Sequence, residues 1–460
     1  MNQEPPSISG GECQFLDWLR VLAVLGVFFF HTFRPFFFGW DWNVLNTDRS
    51  LVLTFFGAFF FSWGMSLFFV LAGAASWFAL RSRPGRQFLH ERSLRLLIPL
   101  FVGFLLLSPP QAYIEALTHE RFAGFFFQFL PWFFAHMPIS WHAPWIGDYA
   151  YHLWFLEFLW LFTLLALPLF LFLRGAGGSR LLNTLAAWCA KPGGIFLFIV
   201  PLALIQMTLR PAFPSMNDWA DFVFYLAFFV YGFLLLSRPS FAEAICRHQW
   251  IALVIGLLAF FGITGAVLTG PGSAWEFSPS YTVGSLLYQL VYSINTWAWL
   301  VFVLSCGIRW LNRNSKVLGP ANEAVLPFYV LQQPVIIVIA FYVVQWPMAI
   351  LPKWLIICTL ALAMTLVLYE LVIRRVNAIR WLFGMKPRQR TPYQDSNGRE
   401  QEGHQAEALG GKAEQPILVH IWKEDPTDAM PKALRCSLTG FPNSVTNAEE
   451  PKNRTFQTRN

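Results

Sequence analysis

The long apolar runs constrain this chain more than any other feature. A bilayer core of about 30 Å is crossed by roughly 20 apolar residues in helical form. About ten stretches reach or approach that length: 15–38, 53–80, 94–108, 150–173, 195–210, 219–237, 250–270, 283–306, 324–346 and 353–373. Lipid offers the backbone no hydrogen-bond partner, so such stretches have to be helices. The expected fold class is all-α: a polytopic integral membrane protein of about ten transmembrane helices. Runs 94–108 and 195–210 are short and would borrow residues from their flanks. Composition agrees: 13% of the 460 residues are charged and 56% hydrophobic, against about 25% charged in soluble domains. The 49 Phe and 21 Trp suit helices that face lipid, with Trp at the interfaces.

Residues 1–14 contain no Lys or Arg, and the first apolar run has no small-residue cleavage site, so it reads as an anchor. Basic residues cluster after every second span: Arg81, Arg83, Arg86, Arg92 and Arg95; Arg174, Arg180 and Lys191; Arg238 and Arg247; Arg309, Arg313 and Lys316. The other side has Arg34, Arg49, Arg121, Arg210 and Lys353. The first set marks the cytoplasmic side and places both termini there, although Glu4 and Glu12 run against that rule. The net charge of +7 is therefore a topology signal, with the bilayer as partner and no nucleic acid. The organisation expected is a cytoplasmic N-terminus over 1–14, a transmembrane domain over 15–390, and a disordered polar tail over 391–460 that is also cytoplasmic. Within the domain, 109–149 begins with Ser108-Pro109-Pro110, a helix stop. It is expected to form an external interfacial loop with an amphipathic helix; an eleventh span is the alternative.

The first span carries the sharpest chemistry. Arg20 and His31 are eleven residues apart, so a helix brings them within about 20° of the same face and about 16 Å apart along its axis. Asp17 and Arg34 fall near the same stripe. A stripe of ionisable groups cannot face lipid and must face a polar cavity within the bundle. His31 as neutral imidazole suits a general base acting on a hydroxyl, or a structural histidine bonded to a neighbouring carbonyl. Arg20 suits either the cavity or a snorkelling anchor paired with Asp17. Arg92 and Arg95 share a helix face and suit a phosphate-rich ligand, or ordinary topology charge. His152, Trp154 and Glu157 open the fourth span; Glu157 lies in apolar sequence and needs a partner or a proton. In the ninth run Pro334 frees a carbonyl near Val330, so a kink is expected, and Gln332 and Gln333 are suited to bridge helices.

Other chemistries are set aside. Cys13, Cys189, Cys246, Cys306, Cys358 and Cys436 are scattered, without a CxxC pair, and indicate neither a metal site nor a disulfide framework. His136 and His142 are too weak a pair for a metal. No GxSxG elbow, HExxH motif or phosphate loop is found.

These residues together resemble the acyltransferase-3 family of bacterial membrane acyltransferases. Arg20 and His31 are similar to its RX10H pattern, Phe68 to Gly73 (FFVLAG) to its second-span motif, and Arg92 and Arg95 to its RxxR motif. HLWFL from His152, LPFYVLQQPVI from Leu326 and LYE from Leu368 resemble further family motifs. The order is kept over about residues 15–390, and the nearest branch is that of glucans biosynthesis protein C, whose members succinylate periplasmic glucans. The resemblance implies an enzyme of the bacterial inner membrane, with acyl-CoA as co-substrate and no bound cofactor or metal. Arg92 and Arg95 would hold the phosphates of acyl-CoA. His31 would activate the acceptor hydroxyl or carry the acyl group, and Arg20 would polarise the donor, with Glu157 as a further catalytic candidate. Asp17, Arg34, His152, Trp154 and Gln332 would contact substrate, a glycan or other hydroxyl acceptor. Family members often have His where this chain has Gln332, which cannot act as a base. A transporter or flippase of glycan precursors, or an inactive family member, would also use such a cavity.

Overall fold

A computed structural model describes residues 14–135, 147–313 and 315–388. His136 and His142, the N-terminal segment and the tail lie outside the described residues. Every regular element described is helical: α1 (Gln14–Phe33), α2 (Leu51–Ser82), α3 (Gly85–Thr118), α4 (Phe126–Ala135), α5 (Trp154–Arg174), α6 (Ala176–Cys189), α7 (Ile199–Leu209), α8 (Trp219–Ser237), α9 (Pro239–Arg247), α10 (Gln249–Leu268), α11 (Pro271–Phe277), α12 (Val283–Trp310), α13 (Leu318–Val343), α14 (Ile350–Leu368) and α15 (Asn377–Leu382). Among the described residues, nine helices are long and apolar enough to cross a membrane. The chain is a polytopic membrane protein.

The fifth expected span, 195–210, is a shorter element. A 3-10 stretch over Gly194–Phe198 leads into α7. Five residues at about 2 Å rise and eleven at about 1.5 Å reach roughly 26 Å, close to the hydrocarbon thickness. Trp297 Nε1 bonds the Ile195 carbonyl at 2.9 Å, and Tyr281 OH bonds the Thr208 carbonyl at 3.0 Å. These bonds seat the segment alongside α12.

One boundary is corrected. The expected helix stop at Ser108-Pro109-Pro110 does not occur: α3 continues to Thr118, with Pro99, Pro109 and Pro110 inside it. Each proline removes an N–H from the helix ladder. Pro109 and Pro110 thereby free the Leu105 and Leu106 carbonyls, which a membrane helix tolerates, and Gln111 Nε2 adds a side-chain donor at the next carbonyl, Leu107, at 2.9 Å. α3 therefore spans 34 residues and carries Glu115 to the far end of the bundle. The remainder of the expected loop holds the short helix α4, whose Phe129 and Phe133 pack on Ala112 and Ala116 of α3.

Close packing at the centre depends on small residues. A Cβ on Gly73 would run into the Phe229 carbonyl, and one on Gly232 into the Val70 carbonyl. The glycine that ends the FFVLAG motif is thus what lets α2 touch α8. Polar pins add to this. Asn295 Nδ2 donates to Ser62 Oγ at 3.0 Å, and Gln333 Nε2 to Gln111 Oε1 at 3.1 Å. The second of these is the helix bridge expected of the ninth run.

The start of α1, the α12–α13 connection and the start of α3 share one end of the bundle. Trp18 Nε1 bonds the Arg313 carbonyl at 3.1 Å, Gly384 packs against the Arg95 carbonyl, and Arg20 lies within electrostatic reach of Arg92 and Arg95. This is the arginine-rich end. His31 lies toward the other.

Candidate active site

At the end opposite the arginine cluster, the helices part around a cavity of about 690 Å³. His31, in the last turn of α1, lines it. The side chain of Gln332 holds His31 Nδ1, with Nε2 at 2.8 Å and Oε1 at 3.2 Å. An amide can donate or accept, so Gln332 can serve either imidazole tautomer. The Gln332 side chain is fully buried, and it ties α13 to α1. The indole of Trp42 lies nearly parallel to the His31 ring, with centroids 6.5 Å apart and planes 11° apart.

His152 stands edge-on to His31, with ring centroids 6.4 Å apart. Its Nε2 lies 3.0 Å from the Val330 carbonyl. Position 334 is proline, which has no N–H to give that carbonyl, so Pro334 leaves Val330 open to an outside donor. His152 is that donor, and the bond fixes its tautomer with the proton on Nε2. The Tyr329 hydroxyl bonds the His152 carbonyl. Tyr151, just before it, has φ of +49°, a strained value for a non-glycine residue that turns the chain into the site. Replacing Pro334 by alanine restores an N–H that competes for Val330. One displaced hydrogen bond is worth about 0.5–1.5 kcal/mol, so activity should fall by up to about tenfold without loss of thermal stability.

The opposite wall comes from α7, α8, α11 and α12, and the sequence reading did not anticipate it. Arg210 and Asp221 form an ion pair there, and Asn217 N–H donates to Asp221 at 2.8 Å. Tyr288 OH donates to Glu276 Oε2 at 3.1 Å, and burial pushes the Glu276 carboxyl above its usual range. Near the mouth, Glu115 accepts from Asn43 at 2.7 Å and from Tyr151 at 2.9 Å. His119 Nε2 lies 3.2 Å from Asp41. Burial works against charging His119, but hydrogen bonds to the Glu115 carbonyl and Asp41 outweigh it and raise its pKa.

The expected site residues divide into two groups. His31, Arg34, His152 and Trp154 line this cavity, and Gln332 touches it through His31. Arg34 packs its guanidinium on Trp40, 5.1 Å from the ring centroid, and donates to the Asp41 carbonyl at 2.7 Å. Trp154 stacks on Tyr225 at 5.7 Å. Arg20 pairs with Asp17 at 2.6 Å, and neither lines the cavity. Arg92 donates to Ser76 Oγ at 3.1 Å and packs on Phe88 and Phe229, while Arg95 is exposed. Along α3, Arg95 lies about 30 Å from Glu115 at twenty residues' rise. Glu157 is buried in α5 and is not part of the cavity wall, so the structure does not bring it to His31. Among the described residues, no group of three or more His, Cys, Asp or Glu is placed to hold a metal ion.

Residues 14–370 match the model of a family described as an acyltransferase domain, the acyltransferase-3 family. The chain belongs to this family. This acyltransferase is 26% identical to the glucans biosynthesis protein C of Shigella dysenteriae serotype 1 over 390 residues, covering 81% of this chain and 94% of the relative. It is 25% identical to the protein of the same name from Escherichia coli K12 over the same extent. No solved structure matches it. The chain is a membrane acyltransferase.

Proposed function

We propose that this protein moves an acetyl or succinyl group from acyl-CoA, bound at the arginine-rich end, to a hydroxyl of a glycan held in the 690 Å³ cavity. The observation that carries this reading is the placement of His31: on the cavity wall, engaged by Gln332, about 16 Å along α1 from Arg20. Among the described residues, the cavity wall holds the carboxylates of Asp41, Glu115, Asp221 and Glu276 with Arg34 and Arg210 as the full cations. That balance disfavours a polyanion such as CoA. It suits a neutral polyol, which carboxylates and amides can hydrogen-bond while Trp40, Trp42 and Trp154 offer flat apolar faces. The Glucans biosynthesis protein C name of the relatives points to the same acceptor class.

At the other end, Arg20, Arg92 and Arg95 gather positive charge suited to phosphates. The positive-inside pattern supports a cytoplasmic position for this end, the side on which acyl-CoA is supplied, and the reading takes the membrane to be a bacterial inner membrane. The thioester would reach His31 along the bundle. His31 takes the proton from the acceptor hydroxyl as that oxygen bonds the thioester carbon. The C–S bond then breaks, and the CoA thiolate leaves with the proton. His152 orients the site, with its tautomer fixed by Val330.

The deciding experiment gives purified protein labelled acetyl-CoA or succinyl-CoA with a periplasmic glucan, and follows the label by mass spectrometry. Label on a glucan hydroxyl supports the reading. Binding without transfer from either donor would favour a transport role. Arg95 is the better residue for testing the donor end, because Arg92 also holds α2 to α3 through Ser76. Arg95→Ala should raise KM for acyl-CoA by about tenfold, the order of one charged hydrogen bond, and leave KM for acceptor unchanged. Equal effects on both would exclude a phosphate role.

A further inference from the structure

A second cavity, of about 390 Å³, opens at the arginine-rich end on residues that acyl transfer does not use. Three arginines from separate segments line it: Arg81 near the end of α2, Arg174 at the end of α5, and Arg238 between α8 and α9. Among the described residues, no carboxylate lines it. Arg238 is held in place: its guanidinium donates to Asn183 Oδ1 at 2.7 Å, Ser179 Oγ at 2.8 Å and the Ser237 carbonyl at 2.8 Å. Arg174 is exposed and has no hydrogen-bond partner among the described residues.

Two helices also begin here. α6 starts after Gly175 and α9 after Arg238, and neither has a side-chain cap on its first N–H groups. Such ends carry partial positive charge. The first turn of α6 reads Ala176-Gly177-Gly178-Ser179, so little side chain stands between its amides and an approaching anion. Three guanidiniums around one hollow repel each other, and a ligand with several anionic oxygens would offset that repulsion through charge-assisted bonds. The flank of the cavity is apolar. Trp77, Leu173 and Leu236 form this part of the lining, and Leu171 and Phe172 on the adjoining turn of α5 are 42% and 55% exposed where lipid chains would run.

We propose that this cavity binds a phosphate group, and that an anionic phospholipid headgroup supplies it. The arginines meet the phosphate, while the apolar flank continues along the acyl chains into the bilayer. This site is independent of the catalytic reading, and the test reads binding alone.

The test is native mass spectrometry of the full-length protein in detergent, with phosphatidylglycerol or phosphatidylcholine added, and separately with inorganic phosphate as competitor. Wild type should retain phosphatidylglycerol over phosphatidylcholine by about tenfold, and Arg174→Glu should remove that preference. Arg180→Glu makes the same charge change on α6 outside the cavity lining and should retain it. If both variants lose it equally, general attraction to a basic surface explains the binding and the site is refuted. No preference in wild type, with no competition by inorganic phosphate, refutes it as well. Competition by inorganic phosphate without any phosphatidylglycerol preference would keep a phosphate site but overturn the lipid source. Should Arg174→Glu fail to match the wild-type unfolding temperature in lipid-free detergent, Arg174→Gln replaces it and should cut the preference at least threefold; an unchanged preference there overturns the proposal.

Discussion

Replacing His31 by alanine should lower kcat by about 10²- to 10⁴-fold, the usual share of a positioned acid–base group, with KM for acyl-CoA changed little. The prediction follows from position. The ring sits on the cavity wall, while the arginines proposed to bind the donor lie at the far end of the bundle, so removing it should leave donor binding intact. A structural cost comes with it. His31 is the partner of Gln332, whose amide is fully buried, and an orphaned buried amide costs about 1–3 kcal/mol. That cost and the catalytic loss can be separated. Gln332→Leu alone should reduce activity by leaving His31 unoriented, and His31→Ala/Gln332→Leu should be no slower than His31→Ala, because residues acting as a unit are non-additive. The double variant should also recover part of the lost stability, since both polar partners are then gone. If the double variant is much slower than His31→Ala, Gln332 has a role of its own. If His31→Ala keeps wild-type kcat, the histidine is structural.

Much of this was legible in the sequence, because hydropathy and helical periodicity are local properties. The runs over 219–237 and 150–173 coincide closely with α8 and α5. Of the stripe expected to face one cavity, His31 and Arg34 do so, since an ionisable group inside a span has few other places to go, whereas Arg20 and Asp17 pair with each other outside it. Pro334 freed the carbonyl it was expected to free, and what the sequence could not name was the acceptor of that opening: His152 lies 178 positions away. Pro109 and Pro110 misled because the rule for soluble helices assumes that water competes for freed backbone groups. Within a bundle the freed carbonyls are tolerated and the helix continues to Thr118. Glu157 was expected to act because it sits in apolar sequence, yet its helix turns it away from the cavity. Asp221 satisfies the same criterion, two residues into a span, and would have been found had the rule been applied evenly. The rest of that wall was not recoverable, because Trp40, Arg210, Glu276 and Tyr292 come from four segments that only the packing brings together.

The pair of Arg210 and Asp221 gives the largest expected effect on stability. Both side chains are mostly buried, at 13% and 12% exposure, and Arg210 also bonds Gln206 Oε1 at 3.2 Å. Asp221→Ala leaves the guanidinium without its counter-charge in a low-dielectric wall, which should cost about 3–5 kcal/mol. Loss of activity in that variant would say nothing about the acceptor, since the wall itself gives way. Replacing both by apolar residues of similar volume, Arg210→Met with Asp221→Leu, removes the charges together and should be close to neutral in stability. Its activity then carries the information. If this wall holds glycan hydroxyls, the paired variant should unfold near the wild-type temperature while KM for acceptor rises about tenfold or more, the order of losing two hydrogen bonds to charged groups. KM for acyl-CoA should stay fixed, because the arginines proposed for the donor are untouched. A paired variant that is stable and binds acceptor normally would make the ion pair a structural strut between α7 and α8, and would move the acceptor toward Trp42 and Glu115 on the His31 side of the cavity.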